Sequence, residues 1–245
     1  MKLIKIEEKG DISLVPIGDA HAGSMDFDRE AFEKQIKWVK ENKNVRVVLM
    51  GDLIDAGLKN SVGAGTFDND MTPENQIDYM IDILTPIKKQ IWCMLAGNHE
   101  ERIRMNTSID VTKLMAKALG IPYGESTCFI KARIKEINYI IYAHHGSTGS
   151  LTPAGKLNAV IKCGSFVNAD IVLMGHVHEL MNHSTEYFRV DIGNKQIVKE
   201  KKHYVITGHF LKYGGYAQAK NMAPGKLGVA KIKLFGKKKD VHISL

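Results

Sequence analysis

Three short apolar runs, separated by stretches with helical spacing, set the tightest limit on what this chain can fold into. They lie at 12–18 (ISLVPIG), 45–50 (VRVVLM) and 91–96 (IWCMLA). Between the first two, Phe32, Ile36 and Val39 stand four and three apart within 28–42, as one face of an amphipathic helix requires. Between the second and third, Thr72-Pro73-Glu74 supplies an N-cap and a first-turn proline, followed by a stripe of Ile77, Met80, Ile81 and Leu84. Short strands that are apolar throughout and alternate with helices belong in a sheet covered on both faces. The chain is therefore predicted to be α/β. A further helix at 109–119 stops at Gly120 before Pro122. Beyond it the pattern changes to paired strands at 128–134 and 139–143, a helix near 154–163, and an apolar run at 169–174. Several strands follow in 183–245, with turns at Gly193-Asn194, Gly214-Gly215 and Gly236. No repeat or composition break divides the chain, so 1–245 is read as a single domain.

A composition of 44% hydrophobic and 25% charged residues excludes disorder as the main state. No apolar run approaches the roughly 18 residues of a membrane helix, so no membrane association is expected. The N-terminus turns charged after six residues and lacks a signal-peptide core. Cys93, Cys128 and Cys163 are scattered and form no disulfide framework. A cytoplasmic location is the expectation. The net charge of +7 is uneven: residues 199–245 hold eleven lysines and no arginine against Glu200 and Asp240, a local +9, which leaves −2 for the rest. Such a segment is either a solubilising face or a surface for polyanions, nucleic acid among them. With only six arginines in the chain, sequence-specific base reading is not indicated.

The chemistry collects at the strand ends. Five apolar strands finish in Asp19/His21, Asp52, Asn98/His99, His144/His145 and His176/His178. Taken singly, a Gly-Asp or Gly-Asn after a strand is a turn and a lone histidine is structural. Ligands of open α/β sheets, however, bind outside the carboxyl ends of the strands, so these residues would meet in one crevice. Carboxylates, imidazoles and an amide oxygen without thiolate suit Mn, Fe, Co, Ni or Zn. Two such ions about 3.5–4 Å apart clamp a phosphoryl group for in-line displacement, and Asp52, on a central strand, is the candidate bridge.

Asp19-Ala-His21, Gly51-Asp52-Leu53-Ile54-Asp55, Gly97-Asn98-His99-Glu100, His144-His145-Gly146 and Gly175-His176-Val177-His178 stand in the order of the five motifs of the calcineurin-like metallophosphoesterase superfamily, which the chain resembles over 19–178. The resemblance implies a four-layer αββα sandwich, two mixed sheets flanked by helices, with a dinuclear site at the strand ends. It implies two divalent ions, manganese first, with Fe, Zn, Co or Ni as alternatives. Asp19, His21 and His178 would hold the first; Asn98, His176 and one of His144 and His145 the second; Asp52 would bridge. The resemblance favours His144, because the family's ligand commonly stands at the strand end with one residue before Gly; period-2 alternation, which puts it on one face with Ile140 and Tyr142, fits, and His145 remains the alternative. His99 would protonate the leaving group or grip the phosphate, and Asp55 would orient it. The implied activity is phosphoester hydrolysis by a metal-bridging hydroxide, on a phosphodiester, a nucleotide or nucleic acid. The alternative is a nucleic-acid-binding or scaffold subunit of the same fold. Oligomeric state has no readable signal.

Two departures bear on the substrate. Asp55-Ala56-Gly57 stands where the superfamily's protein phosphatases read Asp-Arg-Gly, and the large extra domain of its break-repair nucleases is lacking. Glu100, Glu101, Arg102 and Arg104 either line the pocket or begin a solvated helix. The 56–72 loop, with Gly63 and Gly65, is expected to border the crevice. Tyr213 and Tyr216 around Gly214-Gly215 are read as a turn rather than a base-stacking rim. Structural or exposed roles are expected for His183, His203, His209 and His242, and core packing for Cys93.

Overall fold

The structure, a computed structural model, describes residues 1–58, 69–219 and 223–245. The expectations for Gly63, Gly65 and the Tyr216 side chain fall outside what is described.

Among the described residues twelve strands and six α-helices follow in the order β1 (Lys2–Glu8), β2 (Ile12–Ile17), α1 (Arg29–Glu41), β3 (Val45–Leu49), α2 (Pro73–Leu84), β4 (Ile91–Met94), α3 (Asn98–Thr107), α4 (Val111–Leu119), β5 (Thr127–Ile134), β6 (Ile137–His144), α5 (Pro153–Ser165), β7 (Ile171–Met174), β8 (Leu180–Asp191), β9 (Gln196–His209), α6 (Gly215–Ala219), β10 (Gly228–Val229), β11 (Lys231–Leu234) and β12 (Val241–Ser244). A five-stranded sheet runs β12-β11-β2-β3-β4, and a seven-stranded sheet runs β1-β5-β6-β7-β9-β10 with β8 paired to β9. Both are mixed: β2, β3 and β4 are parallel to one another, as are β6, β7 and β9.

Three apolar layers hold this together. Phe32, Ile36 and Val39 of α1, Met80 and Leu84 of α2 and Met115 of α4 pack on the outer face of the five-stranded sheet, against Val15, Val47 and Leu49. Leu14, Val48 and Cys93 meet Ile130, Ile141 and Leu173 between the sheets. Val160 of α5 covers Tyr142, Val172 and Tyr204 on the far side. The result is the expected four-layer αββα sandwich. Asp28, Thr72, Asp110 and Thr152 cap α1, α2, α4 and α5, each side chain accepting a backbone N–H of the first turn.

Two elements exceed the sequence reading. β1 (KLIKIEE) is an edge strand, with Ile4 and Ile6 turned toward the core and Leu3, Lys5 and Glu7 exposed. α3 carries almost no apolar stripe; its only buried residues are Glu100 and Ile103. No helix among the described residues is long and apolar enough to cross a membrane.

Candidate metal centre

The carboxyl ends of β2, β3, β4, β6 and β7 share one edge of the sandwich, and the residues just beyond them form one cluster. Their backbones are held hard. Asp19, His21, Asp52, His176 and His178 have φ of 49°, 53°, 48°, 73° and 48°. For a residue with a Cβ this left-handed conformation costs roughly 1–2 kcal/mol, and it persists only where the surroundings dictate it. Gly51, at φ 89°, packs on the Gly97 backbone, and a Cβ on Gly97 would strike the Asp52 carboxylate. The two turns therefore touch because both lack a side chain.

Glu100 binds the turns together. Its buried carboxylate accepts N–H groups from Asp52 (3.0 Å), Leu53 (2.7 Å), Ile54 (3.3 Å) and Gly97 (2.9 Å). Burial, and then the neighbouring Asp52, raise its pKa against the pull of these donors. Glu100 starts a helix, as one of its two readings has it, but it is neither solvated nor a lining group: it is an internal brace. The first turn of α3 faces Asp52, whose Oδ1 accepts the His99 N–H at 2.8 Å. A helix N-terminus there favours negative charge.

Two ligand groups stand side by side. Asp19, His21 and His178 bring their ligand atoms within 4.8 Å of one another, and so do Asp52, His145 and His176. His21 Nε2 and His178 Nε2 are 3.1 Å apart. Asn98 Oδ1 joins the second group, 3.0 Å from His145 Nε2 and 2.7 Å from His176 Nδ1. Asp52 Oδ2 lies between the groups, 3.3 Å from His145 and 3.8 Å from His21. Six imidazole, carboxylate and amide donors and one shared carboxylate, without thiolate, fit a pair of borderline-to-hard divalent ions.

The electrostatics agree with a cation site. Burial opposes the charge on Asp19 and Asp52, yet both carboxyls are held low, Asp19 by His178 and Asp52 by His145 and His99. Burial also opposes the charged form of His145, but Asp52 raises it to about 10. Burial and His99 press His21 down to about 4.

Asp55 and His99 come together as expected, by a different contact. The His99 Nδ1–H donates to the Asp55 backbone carbonyl at 2.6 Å, while the Asp55 carboxylate sits 3.3 Å from Nδ1 of both His99 and His21. His99 Nε2 accepts from Arg102 Nη2 at 2.9 Å. Arg102 is therefore at the site, whereas Arg104 pairs with Glu101 on the surface. Ala56, in place of the phosphatases' arginine, is buried and donates its N–H to Gln76.

The structure brings His145, and not the favoured His144, into the cluster. The alternation does put His144 with Ile140 and Tyr142, but that face is the one α5 covers. Tyr139, Ile141 and Ala143 face the gap between the sheets, and one step past the strand His145 follows them into it. His144 instead accepts the Gly146 N–H at 2.7 Å and stacks on Tyr142. His145→Ala is expected to weaken Mn²⁺ binding by at least about 100-fold, beyond the roughly 10–100-fold typical of outer partners. His144→Ala should bind as wild type. Calorimetric titration of metal-stripped protein reads both, and equal losses would return the assignment to His144.

One more histidine belongs here. His209 stacks on His178 with ring centroids 5.5 Å apart, its Nδ1 accepts the Leu211 N–H, and its buried Nε2 has no partner among the described residues. It ends β9, so the rule of strand ends would have found it. His183, His203 and His242 lie on β8, β9 and β12 outside the cluster. The C-terminal lysines are dispersed: Lys231 lies over Trp38, Lys239 pairs with Asp170, and Lys199 pairs with Glu186.

No curated protein matches this sequence. Among solved structures, wild-type Vps29 from Entamoeba histolytica complexed with zinc is similar at 15% identity and a TM-score of 0.46, covering 95% of this chain and 97% of that one. A single mutant of the same Vps29 aligns at 14% and 0.46 over the same shares. A conserved predicted phosphoesterase from Streptococcus pneumoniae TIGR4 aligns at 12% and 0.42, covering 95% and 88%. The calcineurin-like phosphoesterase profile matches residues 13–213, five-sixths of the chain and every strand end that contributes to the cluster. By that match the chain belongs to the calcineurin-like phosphoesterase family.

Proposed function

We propose that this chain hydrolyses phosphoester bonds with two divalent ions, held by Asp19, His21 and His178 on one side and by Asn98, His145 and His176 on the other, with Asp52 shared. The observation that carries the reading is the Asp52 carboxylate, within 4 Å of a histidine of each group, in a chain of a phosphoesterase family. Bound there, such ions would polarise the phosphoryl oxygens and supply a water whose pKa is drawn toward neutrality.

The remaining roles fall to the chain itself. Asp55 fixes the His99 ring through Nδ1, so that only Nε2 is free to exchange a proton. Arg102 occupies Nε2 in the resting arrangement, and a phosphoryl oxygen that draws the guanidinium away frees that nitrogen. The freed Nε2 takes up a proton from water, and when the P–O bond breaks it passes that proton to the leaving oxygen. Asp52 raises the His99 pKa against burial, which favours the donor form. The substrate we propose is a phosphodiester, as a nucleotide or nucleic acid, because Ala56 removes the clamp that phosphoprotein phosphatases carry. Manganese is the first ion to try.

Metal-stripped protein should be inert toward a chromogenic phosphodiester and its monoester, and Mn²⁺ should restore turnover with the diester preferred. No turnover with Mn²⁺, Fe²⁺, Zn²⁺, Co²⁺ or Ni²⁺ would end the hydrolase reading in favour of a binding or scaffold subunit.

A further inference from the structure

The outer face of the seven-stranded sheet is not uniform. α5 covers β6, β7 and β9, but the outward residues of β1 and β5 are largely exposed. The register aligns them in rows. Leu3, Phe129 and Tyr142 form one, and Lys5, Lys131 and Ile140 the next. Arg133 stands opposite Glu7 in the third. In the row nearest the metal centre His144 stands opposite Thr127.

Two features of this face stand out beyond the packing of Phe129 and Tyr142 under α5. Lys5 lies directly opposite Lys131, and like charges in that position destabilise a sheet. Neither forms an ion pair among the described residues. The second feature is a set of rings about Tyr142: Phe129 at 5.1 Å, His144 stacked at 6.3 Å, and Phe166 edge-on at 6.4 Å with 71% of its surface exposed. Leu3, beside Phe129, is 56% exposed. Apolar and aromatic faces alternating with cations, row by row, match a chain that presents flat bases and phosphates in turn.

The face also leads somewhere. His144 lines an open cavity of about 660 Å³ that runs past Lys2 and Tyr123 to Asn98 and His145. We infer that the outer face of β1, β5 and β6 is a track for single-stranded nucleic acid: bases stack on Phe129, His144 and Phe166, Lys5 and Lys131 take a phosphate between them, and the strand enters the metal centre past His144. This rests on the hydrolase reading for its last step and on the sheet face alone for its binding. Unpaired bases are required because only they expose a face to stack. The track differs from the C-terminal lysines, which the sequence offered for the same ligand.

The test is fluorescence anisotropy of a labelled dT12 oligonucleotide with the full chain in EDTA, where nothing is cleaved. Wild type should bind, with affinity falling as salt rises. Lys5→Glu with Lys131→Glu should weaken binding at low salt by about tenfold or more and reduce the slope of log K against log salt by roughly 0.7, one phosphate contact on a single strand. Phe166→Ala, at an exposed position, should cost about tenfold. Lys237→Glu with Lys238→Glu should change little, and turnover of the small diester should be the same in all variants. Absence of dT12 binding, binding unchanged in the track variants, or an equal loss in the Lys237/Lys238 pair would overturn the track. The anisotropy does not depend on turnover: a chain that binds dT12 here and cleaves no ester keeps the track and loses the hydrolase.

Discussion

Asp52→Asn is expected to lower metal-dependent phosphodiester hydrolysis by about 10³-fold or more, with the fold intact. The carboxylate is the one group within reach of both ligand sets, and its loss leaves two cations without a shared anion to hold them together. Asparagine suits the position otherwise. It tolerates the left-handed backbone at φ 48°, and its amide oxygen can still accept the His99 N–H. Turnover above about a tenth of wild type would remove Asp52 from the mechanism. A second readout needs no metal. With EDTA present, His145 has a folded pKa of about 10 against about 6.5 when unfolded. A raised pKa stabilises fully below the unfolded value and is lost as pH climbs through the folded one. Wild-type stability should therefore fall between about pH 6.5 and 10, by at most roughly 1.4 kcal/mol per pH unit. The asparagine variant should lose most of that slope, because the charge that raises His145 is gone.

Glu100→Gln should be the most damaging single change to stability, at about 3–5 kcal/mol. Two oxygens now accept four backbone N–H groups, and an amide has only one acceptor oxygen. At least one buried donor would face the new NH₂ group. For a chain of this size the loss amounts to a fall of about 10 °C in the thermal midpoint. The same change should loosen the turns at Asp52 and Gly97 and so weaken metal binding, because Glu100 holds Asp52 through its backbone N–H while offering no ligand atom itself. A midpoint within about 2 °C of wild type would show that the four N–H groups find other partners.

The strands and their polar ends were legible because four of the five apolar runs stop at a glycine followed by aspartate, asparagine or histidine, and the fifth runs directly into His144-His145. That pattern already gives the edge on which the site is built. What it did not give was the face. Residues 140, 142 and 144 alternate correctly, but both faces of β6 are apolar, one against α5 and one against the other sheet. Alternation alone cannot say which gap holds the metals, and His144 was chosen over His145. β1 read as a charged terminus because an edge strand needs only one apolar face. α3 was legible only as one of two readings, a solvated helix start, because its buried side is a carboxylate and a single isoleucine with no apolar stripe. Arg102 was one of four candidates after the third motif, and only its hydrogen bond to His99 separates it from Arg104. His209 ends β9 in the same pattern of glycine then histidine, and its strand end was overlooked.

The strained turns of the centre carry a consequence for how its side chains can be changed. Five residues in a disfavoured backbone state are held there by glycine contacts, by Glu100 and by three apolar layers. The pose of the backbone belongs to those neighbours and not to the imidazoles and carboxylates it presents, so replacing one of these side chains should alter what the cluster binds without letting its turn relax.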